Sequence, residues 1–255
     1  MDTATSIVLG IVEGFSEFLP ISSTGHLILA GKLLGVGAGD FVKSFDIAIQ
    51  LGAILSVVVL YWRNLLVDLE TIKKLAVAFL PTGIIGFILY KIIKKFLLGS
   101  SSVVLWSLFI GGIVIILFEF LHQEKNGSIE DLAGITYRQS FWIGVFQAIA
   151  VIPGVSRSAA TIIGGLTLGM KRKLIVEFSF LLAVPTMLAA TVYDLYKNGT
   201  AFSFSELNYL IVGFLTSFIV ALASIKFLLG FVKNHTFVFF GIYRIVIVLI
   251  WIALF

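Results

Sequence analysis

The chain contains no cysteine, which excludes disulfides, thiolate nucleophiles and zinc–thiolate sites. It has only three histidines, His26, His122 and His235, which are too scattered to supply a histidine-rich metal cluster. Charged residues are also scarce at 13%, about half their share in an average soluble domain. A soluble enzyme that works through thiols or a histidine-bound metal is therefore excluded.

Apolar residues, by contrast, are abundant at 59% of the chain, with a mean hydropathy of +1.10. Several runs approach the roughly 20 apolar residues that a membrane-spanning helix needs. Strand-like alternation is weak, which argues against an outer-membrane barrel. Met1 and Asp2 provide no basic region, so we expect no cleavable signal peptide. The net charge of +4 fits loop Lys and Arg that touch anionic lipid better than it fits nucleic-acid binding.

The apolar pattern predicts an all-α polytopic membrane protein with about six transmembrane helices and no separate soluble domain. The six spans are expected at about 45–62, 75–90, 104–121, 174–195, 208–230 and 238–255. Two further apolar regions, 5–36 and 140–169, are each interrupted by Pro and Gly near the middle. Each is predicted to form a re-entrant hairpin of two short helices, which is tolerated at membrane depth only when it is buried or lines a cavity.

Two segments repeat the same order of polar residues. Glu13 lies nine residues before Ser22, and Gln147 lies nine before Ser156, with a proline just upstream of each hydroxyl run. Each half would consist of one hairpin and three spans. Because the number of spans is odd, the second half would be inverted in the membrane relative to the first. Inverted repeats of this kind can form a polar site at the midplane of the membrane. Chance similarity of two apolar stretches is the alternative. The predicted division is a first repeat over 1–121, a linker over 122–139 and a second repeat over 140–255.

The basic residues of the loops predict an orientation. One face would carry Arg63, Lys73, Lys74, Lys125, Arg138, Lys171, Arg172, Lys173 and Lys233. The other would carry Lys32, Lys43, Lys91, Lys94, Lys95 and Lys197. Because cytoplasmic loops are enriched in Lys and Arg, the first face is predicted to be cytoplasmic and both termini to lie outside.

Two carboxylates occupy the first interrupted region, where an ionisable group is costly and marks a functional site by default. Glu13 and Glu17 are one helical turn apart, which would place them on one face about 6 Å from each other. Such a pair requires either a proton or a cation between its members. An oxygen-liganded divalent ion, magnesium or calcium, would fit, with phosphate oxygens completing its shell. Simple solvation at a wet helix end is the alternative.

A run of hydroxyls follows Pro20, which is expected to stop the first short helix. Ser22, Ser23 and Thr24 precede a flexible glycine, and a helix that begins near His26 would direct its N-terminus at the same space. A hydroxyl beside a glutamate is an activated nucleophile, or a metal or phosphate ligand while water attacks. Helix capping is the structural alternative. His26 is a general acid, a positive partner for phosphate, or only structural.

The second interrupted region supplies a cation instead of carboxylates. Arg157 has a planar fork suited to bidentate phosphate contacts, and small or hydroxyl residues surround it. These neighbours are Gly154, Ser156, Ser158 and Thr161. A salt bridge from Arg157 to Glu13 or Glu17 is the structural alternative, and the two roles can alternate as substrate comes and goes.

Other intramembrane polar residues are weaker signals. Near the ends of spans we expect interfacial residues or structural pairs at Asp46, Gln50, Glu177 and Arg244. Glu119 is expected at a boundary, and the Gly111–Gly112 pair is expected to allow close helix packing.

These motifs carry a resemblance to a known family. The segments Glu13-xxx-Glu17, Pro20-Ile-Ser-Ser-Thr-Gly-His26 and Pro153-Gly-Val-Ser-Arg-Ser158 with Thr161 closely resemble the signatures of the undecaprenyl-diphosphatases of the bacitracin-resistance type. The likeness covers the whole chain and includes Phe45-Asp-Ile-Ala-Ile-Gln-Leu-Gly52 and Glu177-Phe-Ser-Phe-Leu-Leu-Ala-Val-Pro185.

The resemblance implies a phosphatase of the bacterial inner membrane. It would hydrolyse undecaprenyl diphosphate to undecaprenyl phosphate and phosphate, using magnesium or calcium at a site that faces the periplasm. This would recycle the lipid carrier for cell-wall synthesis, and extra enzyme would confer bacitracin resistance.

Residue roles follow from the same resemblance. Glu13 and Glu17 would hold the metal or act as base, with Glu17 counted among the catalytic residues. Ser23 would be nucleophile or ligand, and His26 would assist catalysis. The diphosphate would be held by Arg157 together with Ser22, Thr24, Gly154, Ser156, Ser158 and Thr161.

Rival functions remain open at this point. A polyprenyl-phosphate flippase or an anion transporter would use the same inverted-repeat site, and would release no phosphate. A purely structural subunit leaves the glutamates and Arg157 without a reason. The expected partners are the polyprenyl diphosphate and membrane lipid, with no nucleic acid and with a homodimer left open.

Overall fold

The structure, a computed structural model, describes residues 1–37, 39–92, 100–124, 127–198 and 206–255. Within these ranges it is all-helical, with a single isolated β-bridge and no strand, as predicted. The first five helices are α1 (Thr3–Ser16), α2 (Ser23–Leu33), α3 (Asp40–Leu66), α4 (Leu69–Ile92) and α5 (Ser101–Leu121). The next five are α6 (Tyr137–Ala148), α7 (Arg157–Thr167), α8 (Arg172–Asn198), α9 (Leu207–Phe231) and α10 (Val238–Leu254).

Each of the six predicted spans coincides with one long helix. Five of them, α3, α4, α5, α8 and α9, are long and apolar enough to cross a membrane. The sixth, α10, is equally apolar in character but has only 17 residues. The protein therefore has several membrane-spanning helices, and the count of six stays a prediction.

Each interrupted region forms two short helices joined by a tight turn. In both turns the residue that caps the second helix is a serine with positive φ, Ser22 at 73° and Ser156 at 79°. These are the only non-glycine residues with positive φ in the described part of the chain. Each serine hydroxyl accepts the amide N–H three residues ahead, from Gly25 and from Ala159. The helix predicted near His26 thus begins earlier, at Ser23.

The two halves also pack in matching ways. Helix α1 packs on α9 and α6 on α4, while α3 contacts α9 and α8 contacts α4. Glycines let the backbones approach: a Cβ at Gly10 would lie 2.8 Å from the carbonyl oxygen of Gly213, and one at Gly144 would lie 2.0 Å from that of Ala78. Each hairpin therefore packs against a helix of the other half, as an inverted repeat would require; the inversion itself stays a prediction.

Gly144→Ala is expected to lower the melting temperature of the detergent-solubilised protein by several degrees. The added methyl group would overlap the Ala78 carbonyl, a backbone atom that cannot rotate away, and overpacking of this kind costs about 1–3 kcal/mol. Gly31→Ala is the matched control because nothing lies within 4 Å of its Cβ position. Equal melting temperatures for the two variants would contradict the close approach of α6 and α4.

The predicted linker docks onto the turn between α7 and α8. The N–H of Ile129 donates to the carbonyl of Gly169 at 2.9 Å, and the N–H of Lys171 donates to Ile129 at 2.9 Å. The predicted linker end at 139 lies inside α6, which begins at Tyr137. Of the basic residues used for orientation, Lys94, Lys95 and Lys125 lie outside the described residues.

Glu119 is a structural anchor, not only a boundary residue. Its carboxylate is buried, pairs with Arg172 at 2.7 Å and accepts the N–H of Phe237 at 2.9 Å. Arg172 also pairs with Glu124 at 2.9 Å. The cluster ties the end of α5 to the starts of α8 and α10.

Candidate active site

A cavity of about 600 Å³ lies between the two hairpin turns and extends between α4 and α8. The first turn contributes Glu17, Ser22, Ser23 and Thr24, and the second contributes Pro153, Gly154, Ser156 and Arg157. The rest of the wall is mostly apolar, with Phe79, Gly83, Gly86, Phe87, Met187, Ala190 and Tyr193 among its residues. The cavity thus has a polar head between the hairpins and an apolar body between two long helices.

Glu17 connects the two hairpins at the polar head. One carboxylate oxygen accepts the hydroxyl of Ser23 in a buried hydrogen bond. The other accepts Nη2 of Arg157 at 2.8 Å, and the side chains are only 7% and 12% exposed. The predicted hydroxyl–carboxylate pair and the predicted salt bridge are therefore both present, joined into one chain: Ser23, Glu17, Arg157.

The remaining contacts of Arg157 hold the guanidinium in place. Its Nη1 donates to the carbonyl of Ser179 at 2.8 Å, and its Cζ lies 5.9 Å from the centre of the Phe18 ring. The Ser179 hydroxyl is 2.6 Å from that of Thr161. Thr161 therefore supports Arg157 through Ser179 and does not line the cavity.

Ser156 and Ser158 differ in what they contact. Ser158 donates to the carbonyl of Leu19 at 2.8 Å, which links the second hairpin to the first. Ser156 lies at the cavity wall and its hydroxyl is 3.1 Å from that of Ser158. Of the predicted phosphate-binding hydroxyls, Ser22, Thr24 and Ser156 line the cavity, whereas Ser158 and Thr161 lie behind it.

Glu13 is fully buried beside the site, close enough for its charge to interact with those of Glu17, Asp46 and Arg157. Within the described ranges, neither of its carboxylate oxygens has a hydrogen-bond partner. A buried carboxylate without a partner is costly unless it is neutralised by a proton or a cation. The orphaned oxygens fit the predicted cation between Glu13 and Glu17. The described residues contain no group of three or more such ligands, so water and phosphate oxygens would have to complete the shell.

His26 is turned away from the cavity. Its Nδ1 is 2.7 Å from the carbonyl of Ser22, which can only accept, so Nδ1 carries the proton. Its Nε2 is 2.8 Å from the hydroxyl of Tyr243, and the two rings stack with centroids 5.5 Å apart. This geometry supports a structural role in which His26 holds the turn at Ser22. For the predicted acid–base role, the hydrogen bond from His26 to Tyr243 would have to open.

Tyr243→Phe is expected to lower kcat for the proposed reaction about fivefold, because the Tyr243 hydroxyl holds His26 in the orientation that supports the turn at Ser22. The change deletes one hydroxyl while the ring can still stack on His26, and one neutral hydrogen bond contributes about 1 kcal/mol. Tyr137→Phe is the matched control, since that hydroxyl binds Glu70, which does not line the cavity. An unchanged kcat in Tyr243→Phe would show that the orientation of His26 does not matter to the chemistry.

A second polar cluster lies along the cavity wall and was not predicted as part of the site. Gln147, at the position that matches Glu13, donates from Nε2 to Thr82 at 2.9 Å and to Thr186 at 3.1 Å. Gln50 lines the same cavity. Threonine is common in apolar helices, so only the register between Gln147 and Glu13 could have signalled this cluster.

The weaker signals have mixed outcomes. Glu177 forms a structural pair with Lys173 at 3.8 Å, as expected. The expectation for Arg244 was wrong: it is fully buried and its donors reach backbone carbonyls, not an interface or a carboxylate. The Gly111–Gly112 pair does lie where α5 packs on α10.

The fold and the site together define a polytopic helical membrane protein with a buried polar site at the head of an apolar cavity. The sequence model of the family "Bacitracin resistance protein BacA" matches residues 6–250. The chain belongs to this family.

Relatives of the chain share most of its length. The "Undecaprenyl-diphosphatase" of Aquifex aeolicus is 58% identical over 250 residues, which is 98% of this chain and 97% of the relative. Proteins of the same name from Sulfurihydrogenibium sp. and Persephonella marina are 52% and 54% identical, each over 97% of this chain and over 97% and 96% of the relative.

Proposed function

We propose that the protein is a membrane phosphatase that hydrolyses undecaprenyl diphosphate to undecaprenyl phosphate and phosphate. This reaction recycles the lipid carrier for cell-wall synthesis, and extra enzyme confers bacitracin resistance. The observation that carries the proposal is the chain from Ser23 through Glu17 to Arg157, which joins both hairpin turns at the head of an apolar cavity. The family and the names of the relatives support the same substrate.

The polar head can bind and cleave a diphosphate. Helices α2 and α7 both begin at the cavity, so their N-terminal amides favour an anion there. The fork of Arg157 would shift from Glu17 to phosphate oxygens, since both are bidentate partners of a guanidinium. Phosphoryl transfer depends mainly on such positioning and charge neutralisation.

Release of Glu17 from Arg157 would give its two oxygens separate roles. The oxygen to which the Ser23 hydroxyl already donates can take up that proton, and the oxygen that Arg157 leaves would be free to bind a cation. Two routes are compatible with this geometry. In the first, Ser23 attacks the terminal phosphorus as its proton moves to Glu17, the bridging P–O bond breaks so that undecaprenyl phosphate leaves, and water then hydrolyses the phosphoserine to release phosphate. In the second, Ser23 and Glu17 orient a water molecule that attacks the terminal phosphorus, and undecaprenyl phosphate leaves in the same step.

A divalent cation, magnesium or calcium, would be held by Glu13 and Glu17. The unpartnered oxygens of Glu13 support this assignment. The cation would offset the charge of the diphosphate as the terminal phosphoryl group is transferred and undecaprenyl phosphate leaves.

The apolar body of the cavity would take the polyprenyl chain. Its mouth lies between α4 and α8, where Phe87 is 69% exposed and meets the ring of Tyr193 at 6.0 Å. Both helices are apolar enough to span a membrane, so this mouth would open to lipid. The substrate could then reach the site with its tail still in the bilayer.

The proposed location is the bacterial inner membrane. The face with more basic loop residues is predicted to be cytoplasmic, and the site would open toward the other face, the periplasm. The homodimer stays a prediction, which the mass of the detergent-solubilised protein tests.

The decisive experiment is phosphate release from undecaprenyl diphosphate by the purified protein in detergent with magnesium, with calcium or with EDTA. We expect metal-dependent release that Glu13→Gln weakens and that added cation partly restores. A Glu177→Gln variant is the control for loss of a membrane carboxylate outside the cavity. A folded protein that releases no phosphate with either metal would contradict the phosphatase and favour lipid or anion transport.

A further inference from the structure

Arg244 is a completely buried cation in α10 without a carboxylate partner. Its side chain is 0% exposed, and none of the salt bridges among the described residues includes it. A buried charge in an apolar surrounding is costly, so a residue of this kind marks a function unless its hydrogen bonds explain it.

All five N–H donors of Arg244 reach backbone carbonyls. Nε donates to Leu108 at 3.2 Å, and Nη2 donates to Ser107 at 2.9 Å, both in α5. The other donors leave the helix pair and reach the hairpin turns. They bind Gly154 at 2.8 Å, Val155 at 3.0 Å and Pro20 at 3.5 Å.

The three turn carbonyls lie one or two residues before the two serines with positive φ. Val155 precedes Ser156, and Pro20 lies two residues before Ser22. A positive φ at a non-glycine residue persists only when its surroundings impose it. The guanidinium binds the backbone just before Ser22 and Ser156. It thereby fixes the positions of the residues that follow them, Ser23 and Arg157.

Gly111 provides the space for this guanidinium. A Cβ at Gly111 would lie 2.2 Å from Nη2 and 2.7 Å from Cζ of Arg244. The neighbouring Gly112 meets the α10 backbone instead, 2.7 Å from the carbonyl of Gly241. The Gly111 position therefore has a function beyond helix packing: it leaves room for the Arg244 head group.

We propose that Arg244 is a positioning residue for the reaction, which clamps the two hairpin turns together so that Ser23 and Arg157 both meet Glu17. This inference rests on the proposed phosphatase function. Arg244 does not itself line the cavity, and its hydrogen bonds go to backbone carbonyls and not to the predicted reacting side chains.

Two variants test the clamp. Arg244→Lys keeps the charge, but an ammonium has three donors at one point and cannot reach five carbonyls in three segments. Gly111→Ala keeps Arg244 and displaces its head group. Two controls match them: Arg172→Lys alters a half-buried arginine outside the cavity, and Gly230→Ala adds a methyl group where nothing lies within 4 Å.

The first readout is hydrogen exchange of the backbone amides, measured on the whole protein in detergent. We expect both variants to raise exchange about tenfold or more in residues 17–25 and 149–159, with little change in α9. Exchange that is unchanged in the turns of a folded variant would overturn the clamp. If exchange rises equally throughout the chain, α9 included, then Arg244 only contributes to overall stability, and the clamp is overturned as well.

The second readout is the kinetics of phosphate release. Misplacement of reacting groups by about 1 Å costs on the order of 10²-fold in rate, so kcat should fall by that factor, with a much smaller change in KM because the apolar wall is intact. Both controls should keep wild-type kcat. Loosened turns with an unchanged kcat would overturn the positioning role. A wild-type protein that releases no phosphate would instead contradict the phosphatase, and localised exchange would still support the clamp.

Discussion

Arg157→Lys is expected to lower kcat for undecaprenyl diphosphate by about 10³-fold, the scale of an arginine that stabilises a transferring phosphoryl group. Lysine keeps the positive charge but loses the planar fork that pairs with Glu17 and Ser179 together. Phosphate release at saturating substrate measures the effect. The loss should be mainly in kcat, because the apolar wall still holds the tail.

Arg172→Lys is the control for this prediction. Arg172 is also mostly buried and paired with carboxylates, but it lies at the start of α8 and does not line the cavity. Its conservative replacement should change the melting temperature more than kcat. If Arg157→Lys retains more than about a tenth of wild-type kcat, the guanidinium is not the group that stabilises the phosphoryl transfer.

Glu17→Gln is expected to lower kcat by about 10³-fold, within the range for loss of a general base. The amide has nearly the same shape and can still accept from Ser23, but it cannot take up the proton. It also removes the charge that pairs with Arg157 and half of the proposed cation site.

The same change separates two contributions of Glu17. If the proton acceptor dominates, raising magnesium should not restore Glu17→Gln, whereas it should partly restore Glu13→Gln. Recovery of both variants by magnesium would instead assign Glu17 to the cation alone. Wild-type kcat in Glu17→Gln would remove Glu17 from the chemistry altogether.

The helices and the central residues of the site were predictable from the sequence because the physics behind them is local. About 20 apolar residues define a span wherever they occur, and Pro20 and Pro153 interrupt apolar runs visibly. Glu17 and Arg157 stand out because ionisable groups are rare at membrane depth. Their mutual contact at 2.8 Å is one of the two salt bridges that the sequence offers as the structural alternative for Arg157.

The parts that sequence did not predict depend on partners far along the chain. The orientation of His26 is set by Tyr243, which is 217 residues away. The role of Arg244 was missed because its partners are backbone carbonyls, which have no sequence signature. Thr82 and Thr186 are ordinary residues of apolar helices until the fold brings them to Gln147.

Because the cavity opens between α4 and α8, the relevant substrate concentration for this protein would be the concentration in the membrane. The rim of this mouth is apolar and includes the exposed ring of Phe87. A lipid would therefore enter from within the plane of the membrane. Encounters would then depend on the number of substrate molecules per unit of membrane area. Inert lipid added to the same vesicles would slow turnover, whereas diluting the vesicles in buffer would leave the rate per enzyme unchanged.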